Sequence, residues 1–139
     1  MSSPRYLIDT SVWARASIDE VGERLESLYL AGRAWTCKVV DLELVYSARQ
    51  RDVSQVLEQR KVLPEAPLTP EVTERALEVA GLLATKGWHR GGKPTDLLVA
   101  AAAELRGLCV LHYDADFERI AKVTGQPMEW IAAAGTLDH

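Results

Sequence analysis

The chain has 139 residues, 47% of them hydrophobic and 26% charged, with a net charge of −4. That length is enough to bury one core, the mixture is globular rather than disordered, and no apolar run reaches the roughly 20 residues that span a bilayer. The negative balance excludes a protein that holds nucleic acid by overall basicity, though not one whose bound cations meet the phosphates.

In chain order, Arg5-Tyr-Leu-Ile8 reads as a short buried strand that stops at Asp9-Thr10-Ser11, three good helix-capping residues. Ile18, Val21, Leu25, Leu28 and Tyr29 recur at helical spacing, and Gly32 supplies a stop. Trp35-Thr36-Cys37 is a candidate second strand. Residues 39–50 read as a helix whose apolar face is Leu42, Val45 and Tyr46. Asp52 and Gln55 have the spacing of a capping box, which predicts a further helix to about Leu63. Thr69-Pro70 opens the next helix, with proline in its first position.

Residues 85–93 form a basic, glycine-rich loop, and Pro94-Thr95-Asp96 opens an alanine-rich helix ending at Gly107. Leu108–His112 is the clearest strand. Asp116 to about Val123 is a short helix, halted by Gly125 and Pro127, and Met128–Ile131 is a last strand. Strands separated by helices imply an α/β fold: a central, mostly parallel sheet flanked by helices, in one domain over residues 1–139. Cys37 and Cys109 sit among apolar neighbours and read as reduced thiols in strands. Met1–Arg5 has no charged lead into a secretory apolar stretch, so a cytoplasmic protein without membrane contact is the expectation.

In open α/β folds ligands bind beyond the carboxyl ends of the strands. Asp9 lies just past the first strand, Asp114 lies two residues past the Leu108–His112 strand, and Asp96 is in the first turn of a helix. Glu43 follows the second strand by about one and a half helical turns. Each has an ordinary alternative as a helix cap, a dipole-favoured acid or a solvated helix residue. Together they converge on one rim. Two carboxylates about 5 Å apart repel by roughly 3 kcal/mol at an effective dielectric near 20, so the cluster calls for protons or cations. Oxygen ligands without cysteine favour Mg²⁺ or Mn²⁺, and the natural chemistry is phosphodiester cleavage by metal-activated water.

The motifs Leu7-Ile-Asp9-Thr-Ser-Val-Trp13, Glu43 in its helix, Thr95-Asp96-Leu97-Leu98 and Leu111-His-Tyr-Asp114-Ala-Asp116-Phe117 together resemble a PIN domain, in order and over almost the whole chain. Within that family the length resembles a VapC-type toxin of a type II toxin–antitoxin pair. The resemblance implies a Mg²⁺- or Mn²⁺-dependent endoribonuclease, usually a homodimer, inhibited by a small antitoxin. It implies Asp9, Glu43, Asp96 and Asp114 as catalytic metal ligands and Asp116 as an accessory acid. Thr10 or Ser11 would position a ligand or water. His112 departs from the pattern, which often has Thr or Ser two residues before the last acid. That leaves open whether a hydroxyl role is lost or a titratable donor gained.

RNA would meet Lys86, Trp88, Arg90 and Lys93, through phosphate contacts and base stacking, in a loop without acids that leads into Asp96. The plainer reading is a solvated loop with Trp88 tucked on the core. Trp13 reads as core, and His112 and His89 as groups a metal mechanism does not require. Apolar faces over residues 18–31 and 53–63 suit an antitoxin groove, a dimer seam or ordinary core. The alternatives left standing are a housekeeping RNA-processing nuclease and a non-catalytic acidic-pocket binding or signalling domain.

Overall fold

The protein is described from a computed structural model over residues 3–137, so the expected domain limits at 1 and 139 lie outside the described residues. Four strands, β1 (Tyr6–Ile8), β2 (Ala34–Trp35), β3 (Cys109–His112) and β4 (Met128–Trp130), form one parallel sheet in the order β2-β1-β3-β4. Between β1 and β2 run α1 (Thr10–Trp13) and α2 (Asp19–Leu30). Between β2 and β3 run α3 (Lys38–Ser47), a 3₁₀ turn (Gln50–Asp52), α4 (Val53–Lys61), α5 (Pro70–Thr85) and α6 (Pro94–Leu105). Helix α7 (Asp116–Thr124) joins β3 to β4.

Strand side chains alternate between faces, and the core divides accordingly. Leu7 and Val110 point into a layer with Val40, Val72, Val79, Leu83, Phe117 and Ile120. Tyr6, Ile8 and Leu111 point the other way, into Val12, Val21, Leu25 and Leu28. Helices therefore cover both faces, as a buried parallel sheet requires. Ala100–Ala103 of α6 are all buried. Their small side chains let that helix sit close to α5 and β3.

Local signals explain most boundaries. Thr69 Oγ1 caps α5 by accepting from Val72 N–H, with Pro70 in the first position. Gly32 (φ +70°) and Gly125 (φ +71°) take the left-handed conformation where α2 and α7 stop. Three expectations need correction. Asp52 makes no capping box, because its backbone is already right-handed helical at the end of the 3₁₀ turn (φ −100°, ψ −10°). Helix α3 buries Val39 and Val40 and leaves Leu42 and Tyr46 exposed. Cys37 stands at the start of α3 instead of in a strand, since β2 ends at Trp35 and Thr36 only bridges to Glu65. Both cysteines are free thiols, Cys37 buried and Cys109 half-buried in β3.

The chain leaves β1 toward β2 on one side and later returns as β3 on the other. The β1–β3 boundary is therefore the topological switch point, where a crevice opens beyond the carboxyl ends of the strands.

Candidate active site

Asp9 is the first residue past β1 and is buried; its backbone N–H is held by Leu111 O of β3 at 2.9 Å. Its Oδ2 accepts from Ser11 N–H at 3.0 Å, so one oxygen caps α1. Burial raises its pKa, the hydrogen bonds from Ser11 and Thr10 pull it down, and Asp114 adds to the rise. The capping role and a place in the acidic crevice thus belong to the same side chain.

Asp96 is the third residue of α6, is buried, and accepts at Oδ2 from Lys93 N–H at 3.4 Å. Burial, then the neighbouring charges of Asp9 and Asp114, push its pKa up to about 7. Asp114 closes the group from the β3 side: its Oδ1 accepts from Asp116 N–H at 3.0 Å. One carboxylate oxygen from each of Asp96, Asp114 and Asp116 lies within 4.8 Å of the others. Asp9 is coupled electrostatically to Asp96 and Asp114 without belonging to that tight group.

Glu43 is on α3, where its Oε1 accepts from Thr10 Oγ1 at 3.0 Å. Thr10 thus ties α3 to the residue after Asp9. Ser11 does the corresponding work on the β3 side, its Oγ accepting from Tyr113 N–H at 2.9 Å. Arg15 reinforces that join by donating to Ser11 O at 2.7 Å and lying over the Tyr113 ring at 4.4 Å. Of the two hydroxyls expected to position ligands, Thr10 holds the Glu43 carboxylate itself and Ser11 holds the backbone N–H of Tyr113, next to Asp114.

His112 is fully buried between Phe117 and Trp130, with ring centroids 5.0 and 4.9 Å away. Burial pushes its pKa down to about 4, against the opposing charges of Asp114 and Glu118. The neutral ring accepts from Asp114 N–H through Nδ1 at 3.2 Å. Its place is that of a strand-end acceptor orienting the Asp114 backbone.

The loop after α5 divides. Trp88 packs half-buried against the core, with Lys86 and Lys122 over its ring at 5.5 and 5.8 Å. His89 and Arg90 are exposed. Lys93 turns to the acids, its ammonium 3.8 Å from Asp114 Oδ2, and Asp96, Asp114, Asp116 and Asp9 together raise its pKa. Sequence reasoning misses Arg119, which pairs with Asp116 at 3.3 Å. The i,i+3 spacing on one helix was the available signal. It also misses the buried support behind α3: Arg60 stacks on Trp13 at 4.4 Å and bonds Asp41 at 3.0 Å, while Thr36 Oγ1 donates to the same carboxylate oxygen at 2.8 Å. Trp13 is a core residue, its indole N–H donating to Ile8 O at 3.2 Å.

Chemically, the arrangement is a set of hard oxygen donors, two of them buried, whose mutual repulsion two surface cations only partly relieve. It is suited to a small divalent cation completed by waters or phosphate oxygens.

The PIN domain profile matches residues 6–123. Ribonuclease VapC21 of Mycobacterium tuberculosis is 46% identical over 134 residues, covering 95% of this chain and 97% of that protein. Ribonuclease VapC51 of the same species is 44% identical, over 96% and 98% of the two chains. Among solved structures, a DNA-bound VapBC from Salmonella typhimurium superposes with a TM-score of 0.76 at 21% identity, covering 94% of this chain and all of that one. VapBC-5 from Mycobacterium tuberculosis, of the VapBC family of toxin–antitoxin systems, superposes at 0.62 with 26% identity over the same share of this chain.

Proposed function

Because the chain belongs to the PIN-domain family, we propose that it is an endoribonuclease, the toxin of a toxin–antitoxin pair, built as a single domain over residues 1–139. The observation that carries the catalytic reading is the carboxylate group of Asp96, Asp114 and Asp116 within 4.8 Å, with Asp96 raised to about 7 beside Asp9. A buried acid so reluctant to ionise alone is stabilised as an anion by a cation.

Asp9, Asp96 and Asp114, with Glu43 from α3 and Asp116 as an accessory acid, would hold the cofactor, Mg²⁺ or Mn²⁺. When bound, such an ion lowers the pKa of a coordinated water and neutralises charge on the phosphate. The chain's own residues do the rest. Asp9 and Asp114 are fixed in direction by Ser11 N–H and Asp116 N–H. Thr10 holds Glu43 toward the same rim. His112, neutral at physiological pH, orients the Asp114 backbone and moves no proton. Arg90 and Lys93, with Lys86 and Trp88 behind them, line the approach for single-stranded RNA. The proposed compartment is the cytoplasm; no described helix is long and apolar enough to cross a membrane.

Two surfaces suit the protein partners. An open apolar groove of about 740 Å³ between α2 and α4, lined by Trp13, Leu25, Tyr29, Val56, Val62 and Leu63, is where an apolar antitoxin segment would lie. The solved VapBC complexes support such a partner. Leu42 and Tyr46, one helical turn apart and exposed on α3, suit a homodimer seam.

The test is cleavage of mixed RNA and DNA substrates in Mg²⁺, Mn²⁺ or EDTA. The wild type should cleave RNA only with metal, and Asp96→Asn should lose at least about a hundredfold, the scale of a lost electrostatic contact in the transition state. Cleavage in EDTA, or full activity of the variant, would sink the mechanism.

A further inference from the structure

Two surface cations border the acidic group, and the nuclease mechanism gives them no role in the metal-free site. Lys93, the residue before α6, reaches Asp114 at 3.8 Å; Arg119 of α7 reaches Asp116 at 3.3 Å. Each is attached to a different member of the same three-carboxylate cluster. They are held differently. The Lys93 side chain is 68% exposed and touches its partner at the long end of ion-pair range. The Arg119 stem lies on Gly91, where a Cβ would come within 2.7 Å of its Cδ, so a glycine there makes its seat.

Ion pairs this exposed are weak. The three carboxylates would hold a divalent ion in preference to either group, since its charge is twice theirs, and Lys93 and Arg119 would be displaced. The displaced groups would stay tethered beside the cluster, where a substrate phosphate would bring fresh negative charge. Their chemistry differs usefully. Lysine is a compact, mobile point charge, whereas arginine is a planar fork able to hold two oxygens at once.

Building on the nuclease reading, we propose that Lys93 and Arg119 are the internal counter-ions of the metal-free acid cluster and become contacts to the scissile phosphate once a divalent cation takes the carboxylates. Both halves can be read on the full-length protein with Lys93→Met, Arg119→Met and the conservative Lys93→Arg. Circular dichroism first establishes that each variant folds.

Mn²⁺ binding without RNA, followed by the electron paramagnetic resonance of free Mn²⁺, should tighten roughly threefold or more in each Met variant, because a competing positive charge is gone. Binding that is unchanged or weaker in both overturns the counter-ion half. Single-turnover cleavage of a labelled single-stranded RNA in Mn²⁺ should fall about tenfold in Lys93→Met. The dependence of the half-saturating RNA concentration on salt should become shallower by about 0.7 in log–log slope, the value for one lost phosphate contact. Lys93→Arg should recover most of both. Wild-type rate and slope in Lys93→Met and Arg119→Met overturn the phosphate half. A wild type that binds Mn²⁺ yet cleaves no RNA overturns the nuclease reading and the phosphate half together, while the Mn²⁺ titration still judges the counter-ions.

Discussion

Asp96 and Asp9 are the described carboxylates that burial makes costly to ionise. In the unfolded chain Asp96 loses its proton near the ordinary value of 3.8; in the folded, metal-free protein it does so at about 7. The folded form therefore holds the extra proton in between. Its contribution to stability is full below about pH 4 and is lost as pH rises to about 7, by on the order of a few kcal/mol. His112 runs the other way: buried and neutral, with its pKa lowered to about 4 from 6.5, it favours the folded state above pH 6.5 and loses that contribution as pH falls through 4. The two oppose each other in the wild-type curve, so the difference from Asp96→Asn isolates the carboxylate. In EDTA at pH 8 that variant should melt roughly 5 °C or more above wild type, and the gap should close near pH 4. Equal melting temperatures at pH 8 would refute the stored repulsion. At this scale, Asp9 and Asp114 are legible in the sequence because each stands a fixed step past a strand. Lys93 is legible as a basic loop residue but not as a partner of Asp114, since that contact exists only once α6 lies beside the end of β3.

Among the elements, α3 carries Glu43 but owes its seat to neighbours. Arg60 of α4 is sandwiched between Trp13 and Asp41, with side chains 7% and 13% exposed for Arg60 and Asp41, and its Nη2 has no hydrogen-bond partner. The indole face takes the place of an acceptor there. A buried pair of this kind adds little net stability, yet breaking it leaves a charge stranded. Arg60→Ala should therefore cost roughly 3–5 kcal/mol in urea unfolding, while the double change Arg60→Met with Asp41→Asn should cost much less. Additive losses in the pair of variants would show that the ion pair is not the coupling. This support is hidden from a reading of the sequence because Thr36, Asp41 and Arg60 lie in the β2–α3 link, in α3 and in α4. The buried face of α3 is hidden for a different reason. Six of the ten positions of Lys38–Ser47 are apolar and they fall on more than one side of the helix, so two stripes are available and only the sheet selects Val39 and Val40. Helices with firm punctuation, such as α5 behind Thr69-Pro70 and α7 before Gly125, are legible almost to the residue.

Across the whole molecule, Leu42 and Tyr46 of α3 are exposed and do not line the apolar groove between α2 and α4, so the two surfaces can serve two kinds of partner. Tyr46 is 92% exposed and Leu42 69%. If they form the homodimer seam, Tyr46→Glu should yield a monomer in light scattering at micromolar concentration with its melting behaviour nearly unchanged; a variant that remains dimeric removes α3 from the interface. The α/β class is legible from alternating strands and helices, because each strand is bounded by a cap or a glycine. The strand order is not, since nothing local tells β3 to lie against β1. That neighbourhood also sets a timetable. β1 can meet β2 early, but its other edge stays bare until β3 is made, and from Tyr6 to its partner Cys109 the ribosome must add roughly a hundred residues, about 5–20 s of synthesis. Asp114 and Asp116 arrive later still. A nascent or truncated chain that ends before β3 therefore carries Asp9, Glu43 and Asp96 without Asp114 and Asp116, so the acid cluster is assembled only when the last quarter of the message has been read.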